Sequence, residues 1–476
     1  SHWPQKRELA SYPATIVCYI QALCCDPLER WSISVFLNVQ LLSMVSPSLN
    51  LNWFRSRRLC TSKLHNTELC SFRIEMAESH SLHGFLTTPF RSFFRLWVPV
   101  LFSLIAEPLT GLVDTGFVSR LGAEQLAALG VGTVVLSGGL WLFNFLSVGS
   151  QTEVSQASGQ NDLDRGRRIG SLALVVGLVV GCTASVLVFI GAPLLSELMG
   201  AAGLVQDHAV RYIRIRSLGG PAVLFAMVSF GILYGLADMR TPLLVALGVN
   251  GLNIVLDALL IFGVGPFPPL GIGGAALASS LSQWAGACWC AVVVHRKIGF
   301  TVRIDVADII KLLSIGRDMF IRTGMLIIFL LLATRSATRL GPEAGAAHQA
   351  IRQVWTFTAL FLDAAAITAQ SVVGYYYGSG RQIQATKVAG LVCRWSLMIG
   401  FGLLVIMLIG TRPVAALLVP ASAVAQFGPA WTVAALFQPL AALAFVTDGI
   451  HWGTGDFGYL RNAVCTATVT AGAVLL

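Results

Sequence analysis

Arg120-Leu121-Gly122-Ala123-Glu124 returns 219 residues later as Arg339-Leu340-Gly341-Pro342-Glu343. The same offset pairs Thr115 with Thr334, Gln151 with Gln370, Val154 with Val373 and Gly159 with Gly378. An offset of 218 then pairs Pro221 with Pro439, Gly231 with Gly449, Gly235 with Gly453 and Asp238 with Asp456. A nearly constant offset held over about 140 residues marks an internal repeat. Each half opens with an apolar run followed by this turn.

Around the repeat, eleven apolar runs of near-spanning length cover 97–118, 126–149, 169–191, 218–236, 243–264, 272–294, 323–338, 346–370, 388–410, 428–449 and 461–476. Six runs in the first half return the chain to its starting side, so the repeats are parallel, related by an axis along the membrane normal. Such repeats build transporters that hold substrate between the halves near the bilayer midplane. The expected fold is all-α: a polytopic helical membrane protein with two six-helix lobes. The expected division is an N-terminal extension over 1–90, an N-lobe over 91–295, a linker over 296–322 and a C-lobe over 323–476. In the linker, Asp305, Asp308, Lys311 and Arg317 alternate with Ile304, Val306, Ile309, Ile310, Leu312 and Leu313, the pattern of an interfacial amphipathic helix. Adding 218 to residues 259–294 runs past residue 476, so the second lobe reads as truncated, with a twelfth span expected beyond it.

Composition agrees with a bilayer. The chain has 476 residues, 55% hydrophobic and only 12% charged, against about 25% charged in soluble domains. Its mean hydropathy is +0.74. So few charges cannot cover a soluble surface, which argues against a cytosolic enzyme, a disordered regulator or a disulfide-rich secreted module. The net charge of +9 is spread between apolar runs, which is a loop pattern and not a nucleic-acid footprint. With the N-terminus inside, fifteen Lys and Arg fall on the inner side, including Arg165, Arg167, Arg168, Arg296, Lys297, Lys311 and Arg322. Six fall outside: Arg120, Arg211, Arg214, Arg216, Arg339 and Arg412. The excess predicts a cytoplasmic N-terminus, in a plasma, inner or organelle membrane. Residues 1–75 hold no apolar run of spanning length and read as upstream sequence before Met76 or as a targeting extension.

Intramembrane carboxylates are functional candidates, because an ionised side chain at a helix centre costs about 2.5–3.5 kcal/mol on insertion scales. These are Glu107, Asp114, Glu153 and Asp257 in the first half, and Asp363 and Asp448 in the second. Asn250, Asn253 and Asp257 are spaced three and four apart and share a helix face. That polar stripe must face protein or water, and either couples an ion or joins helices. If Asp114 faces the same interior, the two carboxylates form one proton site; otherwise it is a helix-end carboxylate in water. Ser279 and Gln283 are candidate supporting donors. Glu153 reads as a helix-end or gate residue, and Asp448 as a solvent-exposed one. Glu107, Asn144 and Asp363 are candidate cavity residues, Asn144 and Asp363 being partners under the 219 offset. Tyr375, Tyr376 and Tyr377 read as an aromatic belt at a membrane interface.

The cysteines and histidines show no metal-ligand spacing, and no glycine-rich stretch forms a nucleotide loop. No metal, cofactor or ATP is expected; an ion gradient is the expected energy source.

Several motifs together resemble one family. Glu107-Pro108-Leu109-Thr110-Gly111-Leu112-Val113-Asp114-Thr115 followed by Arg120-Leu121-Gly122 is similar to the first helix of MATE (multidrug and toxic compound extrusion) transporters, particularly the DinF-like branch. Gln151 to Gly159, Gly235-Leu236-Ala237-Asp238-Met239-Arg240-Thr241-Pro242 and Asn253-Ile254-Val255-Leu256-Asp257 fit the same branch. The resemblance covers about 90–476 and implies twelve helices in two lobes, with cation-coupled export by alternating access. It also implies coupling by Asp114 on the first helix and by Asn253 and Asp257 on the fifth. The expected function is a secondary antiporter, a monomer and not an enzyme, that exports organic solutes or drugs in exchange for protons or sodium ions. Alternatives are a lipid-linked-precursor flippase of the wider superfamily and a non-transporting remnant. A flippase needs a strongly cationic cavity, and the intramembrane arginines, Arg335, Arg352 and Arg394, are few.

Overall fold

The computed structural model describes residues 82 and 84–475, apart from 142, 264–267 and 304. The expectations placed on residues 1–75 lie outside the described residues.

Among the described residues the chain forms fifteen α-helices. The first eight are α1 (Pro89–Ser119), α2 (Ala123–Trp141), α3 (Phe145–Gln160), α4 (Leu163–Leu198), α5 (Gly203–Ser217), α6 (Gly220–Gly235), α7 (Arg240–Phe262) and α8 (Ile272–Lys297). The second group is α9 (Val306–Arg339), α10 (Pro342–Gly378), α11 (Gln382–Ile409), α12 (Thr411–Leu418), α13 (Val424–Leu436), α14 (Gln438–Thr454) and α15 (Phe457–Leu475). Six helices, α1, α4, α7, α8, α10 and α11, are individually long and apolar enough to cross a bilayer. Two bent pairs, α5 with α6 at 48° and the segment Ala421–Leu436 with α14 at 47°, raise the number to eight. The remaining apolar runs fall on α2 with α3, on α9 and on α15.

The repeated turn is explained by backbone geometry. Gly122 and Gly341 hold φ at +122° and +125°, a region that an L side chain rarely adopts. Each glycine ends one long helix and starts the next, so the Arg-Leu-Gly signature is a paired left-handed turn. Asp238 and Asp456 are also matched in role. Asp238 accepts from the backbone N–H of Arg240 at 3.1 Å and of Thr241 at 3.0 Å, while Asp456 accepts from that of Tyr459 at 3.3 Å. Both carboxylates cap the next helix, where unpaired N–H groups and the dipole favour negative charge.

Paired glycines set the helix spacing inside each half. A Cβ on Gly231 would collide with the Ser147 carbonyl, and one on Gly449 with the Ala366 carbonyl. Gly235 fits over Gln151 and Gly453 over Gln370 in the same way. So α6 lies on α3 and α14 lies on α10, backbone against backbone, as small residues permit in membrane bundles.

The two halves meet along α3 and α10. Gly159 packs on the Tyr375 carbonyl, and Gly378 on the Gln156 carbonyl. Tyr375 and Tyr376 are buried at this seam, and the Tyr376 hydroxyl donates to the Leu82 carbonyl at 2.7 Å. The aromatic-belt expectation is therefore corrected for these two residues: their rings pack in one core with Leu82, Phe85 and Trp395. Tyr377 is 37% exposed.

The 296–322 linker also differs from expectation. From Val306 it is continuous with the seventh span as α9, its start capped by the Asp305 carboxylate, which accepts from the Ala307 N–H at 3.0 Å. The charged first turns stay helical because their apolar side, Ile309 and Leu312, packs into a core with Leu146, Val154 and Leu172 of the first half.

Candidate ion site in the first lobe

The polar stripe on α7 points into the helix bundle. Asn253 is 3% exposed and Asp257 fully buried, whereas Ile254 and Val255 between them are exposed on the opposite side. Each stripe member meets a neighbouring helix. Asn250 donates to the Ala106 carbonyl of α1 at 2.8 Å. Asn253 has one satisfying orientation: its NH2 donates to Asp114 Oδ1 at 3.0 Å and its oxygen accepts from the Ser279 N–H of α8 at 3.3 Å. Asp114 and Asp257 stand within side-chain hydrogen-bonding reach of each other.

Two features give this arrangement its chemistry. Both oxygens of Asp257 are buried with no donor reaching them among the described residues. Its carboxylate neighbour is another acceptor, so a proton or a small cation between them would complete the geometry. Asp114 also bridges helices: it takes the Asn253 amide on α7 while its own α1 continues to the second half. There the Trp97 indole N–H donates to the Phe361 carbonyl at 3.1 Å.

Sequence reasoning missed two groups near the site. Tyr212 on α5 is 5% exposed and lies beside Thr133, within charge range of Asp114 and Asp257. Arg216, one turn along, lies within charge range of Asp114. Both stood in a stretch whose arginines were assigned to a loop. The signal that was present is the i, i+4 spacing of Tyr212 and Arg216.

The other candidates are more scattered. Ser279 takes part through its backbone, and Gln283 is half-buried one turn along α8. Glu107 and Asn144 are exposed and Asp363 is half-buried. Among the described residues no hydrogen bond or ion pair joins these three to one another. Glu153 is buried against Arg165 at 2.8 Å and Lys311 at 2.5 Å.

Asp448 is corrected. Instead of facing solvent it is paired with Arg322 of α9, the two side chains only 19% and 12% exposed, and Asp363 lies within charge range of both. The Arg322 guanidinium also sits over the Trp452 ring, 5.3 Å from its centroid. The reason is the early start of α9: Arg322, expected in the linker, lies inside a helix and carries its charge into the second lobe.

The MatE family model matches residues 99–259 and 319–471. The chain belongs to the MATE family. Protein DETOXIFICATION 44, chloroplastic, of Arabidopsis thaliana is 32% identical over 380 residues, covering 76% of this chain and 71% of that protein. DNA damage-inducible protein F of Escherichia coli (strain K12) is 27% identical over 404 residues, covering 83% and 87%. These relatives place the chain on the DinF-like side of the family. Among solved structures, MATE in the straight conformation superposes with a TM-score of 0.72 at 22% identity, over 83% of this chain and 96% of that one. A multidrug resistance MATE transporter of the MOP superfamily in its outward-facing conformation gives 0.69 at 22% identity, over 80% and 93%. The MATE fold, the multi-pass membrane class and the transporter family are thereby established, and the site built from Asp114, Asn253 and Asp257 lies within the matched region.

Proposed function

We propose that this MATE transporter is a secondary antiporter that exports an organic solute in exchange for a proton or a sodium ion held at Asp114, Asn253 and Asp257. The observation that carries the reading is the facing pair of carboxylates, one with both oxygens buried and no donor among the described residues, inside an apolar lobe. A site of this kind is completed only when a cation is present, so its occupancy distinguishes two states of the lobe. Coupling then requires that the two arrangements of the lobes differ in affinity for the ion.

The path from ion to lobes runs along α1. Asp114 and Ala106 contact α7, and Trp97, Phe93 and Val100 pack in one core with Val372, Tyr376 and Trp395 of the second lobe. An ion that repositions α1 against α7 therefore acts on the packing between lobes. The Lys and Arg excess supports an orientation with the α3–α4 and α10–α11 connections in the cytoplasm.

The test is proton or sodium displacement by solute. Purified protein in weakly buffered detergent is mixed with ethidium, as an organic cation probe, or with a fluorescent carboxylate, as an anion probe. Antiport predicts release of protons or sodium on binding of a recognised probe, lost in Asp257→Asn. Solute binding without any ion release overturns the reading.

A further inference from the structure

At the basic end of the bundle the seam between the lobes is closed by more than packing. Gln156 donates to the Gly453 carbonyl at 2.9 Å and Thr152 to the Trp452 carbonyl at 2.8 Å, both buried. Next to these bonds Glu153, its side chain 4% exposed, is held by two cations of different origin. Arg165 comes from α4 of the same lobe. Lys311 comes from the first turns of α9, the helix that continues into the second lobe. A second ion pair, Arg168 with Asp308 at 3.7 Å, docks the same turns of α9 onto α4. Two turns further on, α9 is tied into the second lobe: Asp318 accepts from Arg461 of α15 at 2.7 Å. A cavity of about 190 Å³, lined by Glu153, Gln156, Lys311, Asp318 and Thr454 among others, lies between these two attachments.

We propose that Lys311 is the releasable bolt of this face: the Lys311–Glu153 pair holds the lobes together while the face is shut and parts when it opens. The assignment follows from the unequal partners. A buried carboxylate stripped of every cation costs several kcal/mol, which would forbid opening. Arg165 stays with Glu153 in either state, so the carboxylate is never stranded. Lys311 is 45% exposed and reaches water once released. The cavity beside it is the space into which water enters as α9, tied to α15 through Asp318, moves away. The inference rests on relative motion of the lobes, as the antiport reading does, but it needs no coupling ion.

The experiment measures lobe separation directly. Spin labels at Asp164 and Ile383, exposed positions on α4 and α11 at this face, report the distance across the seam by double electron–electron resonance in nanodiscs. Lys311→Met is expected to raise the long-distance population about three- to fivefold, the weight of one part-exposed ion pair, and Lys311→Arg to leave it near the parent value. In a Glu153→Cys/Lys311→Cys protein, a short bifunctional thiol reagent is expected to abolish the long distance. The proposal is overturned if Lys311→Met leaves the distribution unchanged, or if the cross-linked protein still opens because α9 bends instead. Failure of the ion-release test with success here would remove antiport and keep the bolt.

Discussion

Gln151 and Gln370 clasp each other's helices. Gln151 Nε2 donates to the Ile367 carbonyl and to Ser371 Oγ, both at 2.8 Å. Gln370 Nε2 donates to the Val148 carbonyl at 2.8 Å and to Thr152 Oγ1 at 2.9 Å. Every partner of one is the partner of the other shifted by 219 residues, so this pair of side chains lies on the pseudo-two-fold axis between the lobes. Both glutamines are buried, where an unmade hydrogen bond is costly.

From that symmetry, Gln151→Ala and Gln370→Ala are expected to cost similar amounts, about 1–3 kcal/mol each. Thermal unfolding in detergent, compared with the parent, checks both values. A large cost for one and none for the other would contradict a shared clasp.

The paired glycines lead to a steric prediction. Gly231→Ala and Gly449→Ala each drive a Cβ into a backbone carbonyl of the facing helix. Backbone cannot yield as a flexible side chain does, so each substitution is expected to destabilise by about 1–3 kcal/mol. Gly402→Ala, where a Cβ meets nothing within 4 Å, is the matched control and is expected to fold as the parent does.

The charged pair of the second lobe behaves differently from a surface ion pair. Arg322→Gln leaves Asp448 buried without its cation and is expected to lower stability by about 3–5 kcal/mol. Arg322→Gln combined with Asp448→Asn removes both charges and is expected to recover most of that loss. A double variant as unstable as the single one would show that the guanidinium matters for packing on Trp452 and not for charge.

How far the chain could be read from its residues depended on locality. The stripe Asn250, Asn253, Asp257 was legible because three residues on one helix carry their geometry in their spacing. Gln151 and Gln370 were visible only as a repeat mark; their reciprocal bonding needs α3 and α10 side by side, which spacing does not state. Tyr212 was hidden among arginines assigned to a loop, since nothing local separates a loop arginine from one beside a buried tyrosine. Asp448 was misplaced for a related reason. Its partner Arg322 lies 126 residues away and was assigned to a linker, because a charged, amphipathic start to a spanning helix reads locally as an interfacial segment.

The supporting residues of the first-lobe site are expected to separate by role. Asn250→Ala removes one bond between α7 and α1 and should cost about 0.5–1.5 kcal/mol of stability while leaving ion dependence intact. Asn253→Ala removes the donor to Asp114 and should change the ion concentration that gives half-maximal transport. Equal effects of the two variants on ion dependence would contradict the assignment of Asn253, and not Asn250, to the ion site.

The decisive measurement of ion coupling is gradient-driven export from proteoliposomes with imposed proton or sodium gradients, comparing the parent with Asp114→Asn and Asp257→Asn. Coupling at these carboxylates predicts that one gradient drives solute movement in the parent and that each variant falls to the rate seen when the gradient is collapsed. Undiminished gradient-driven export in both variants would contradict it.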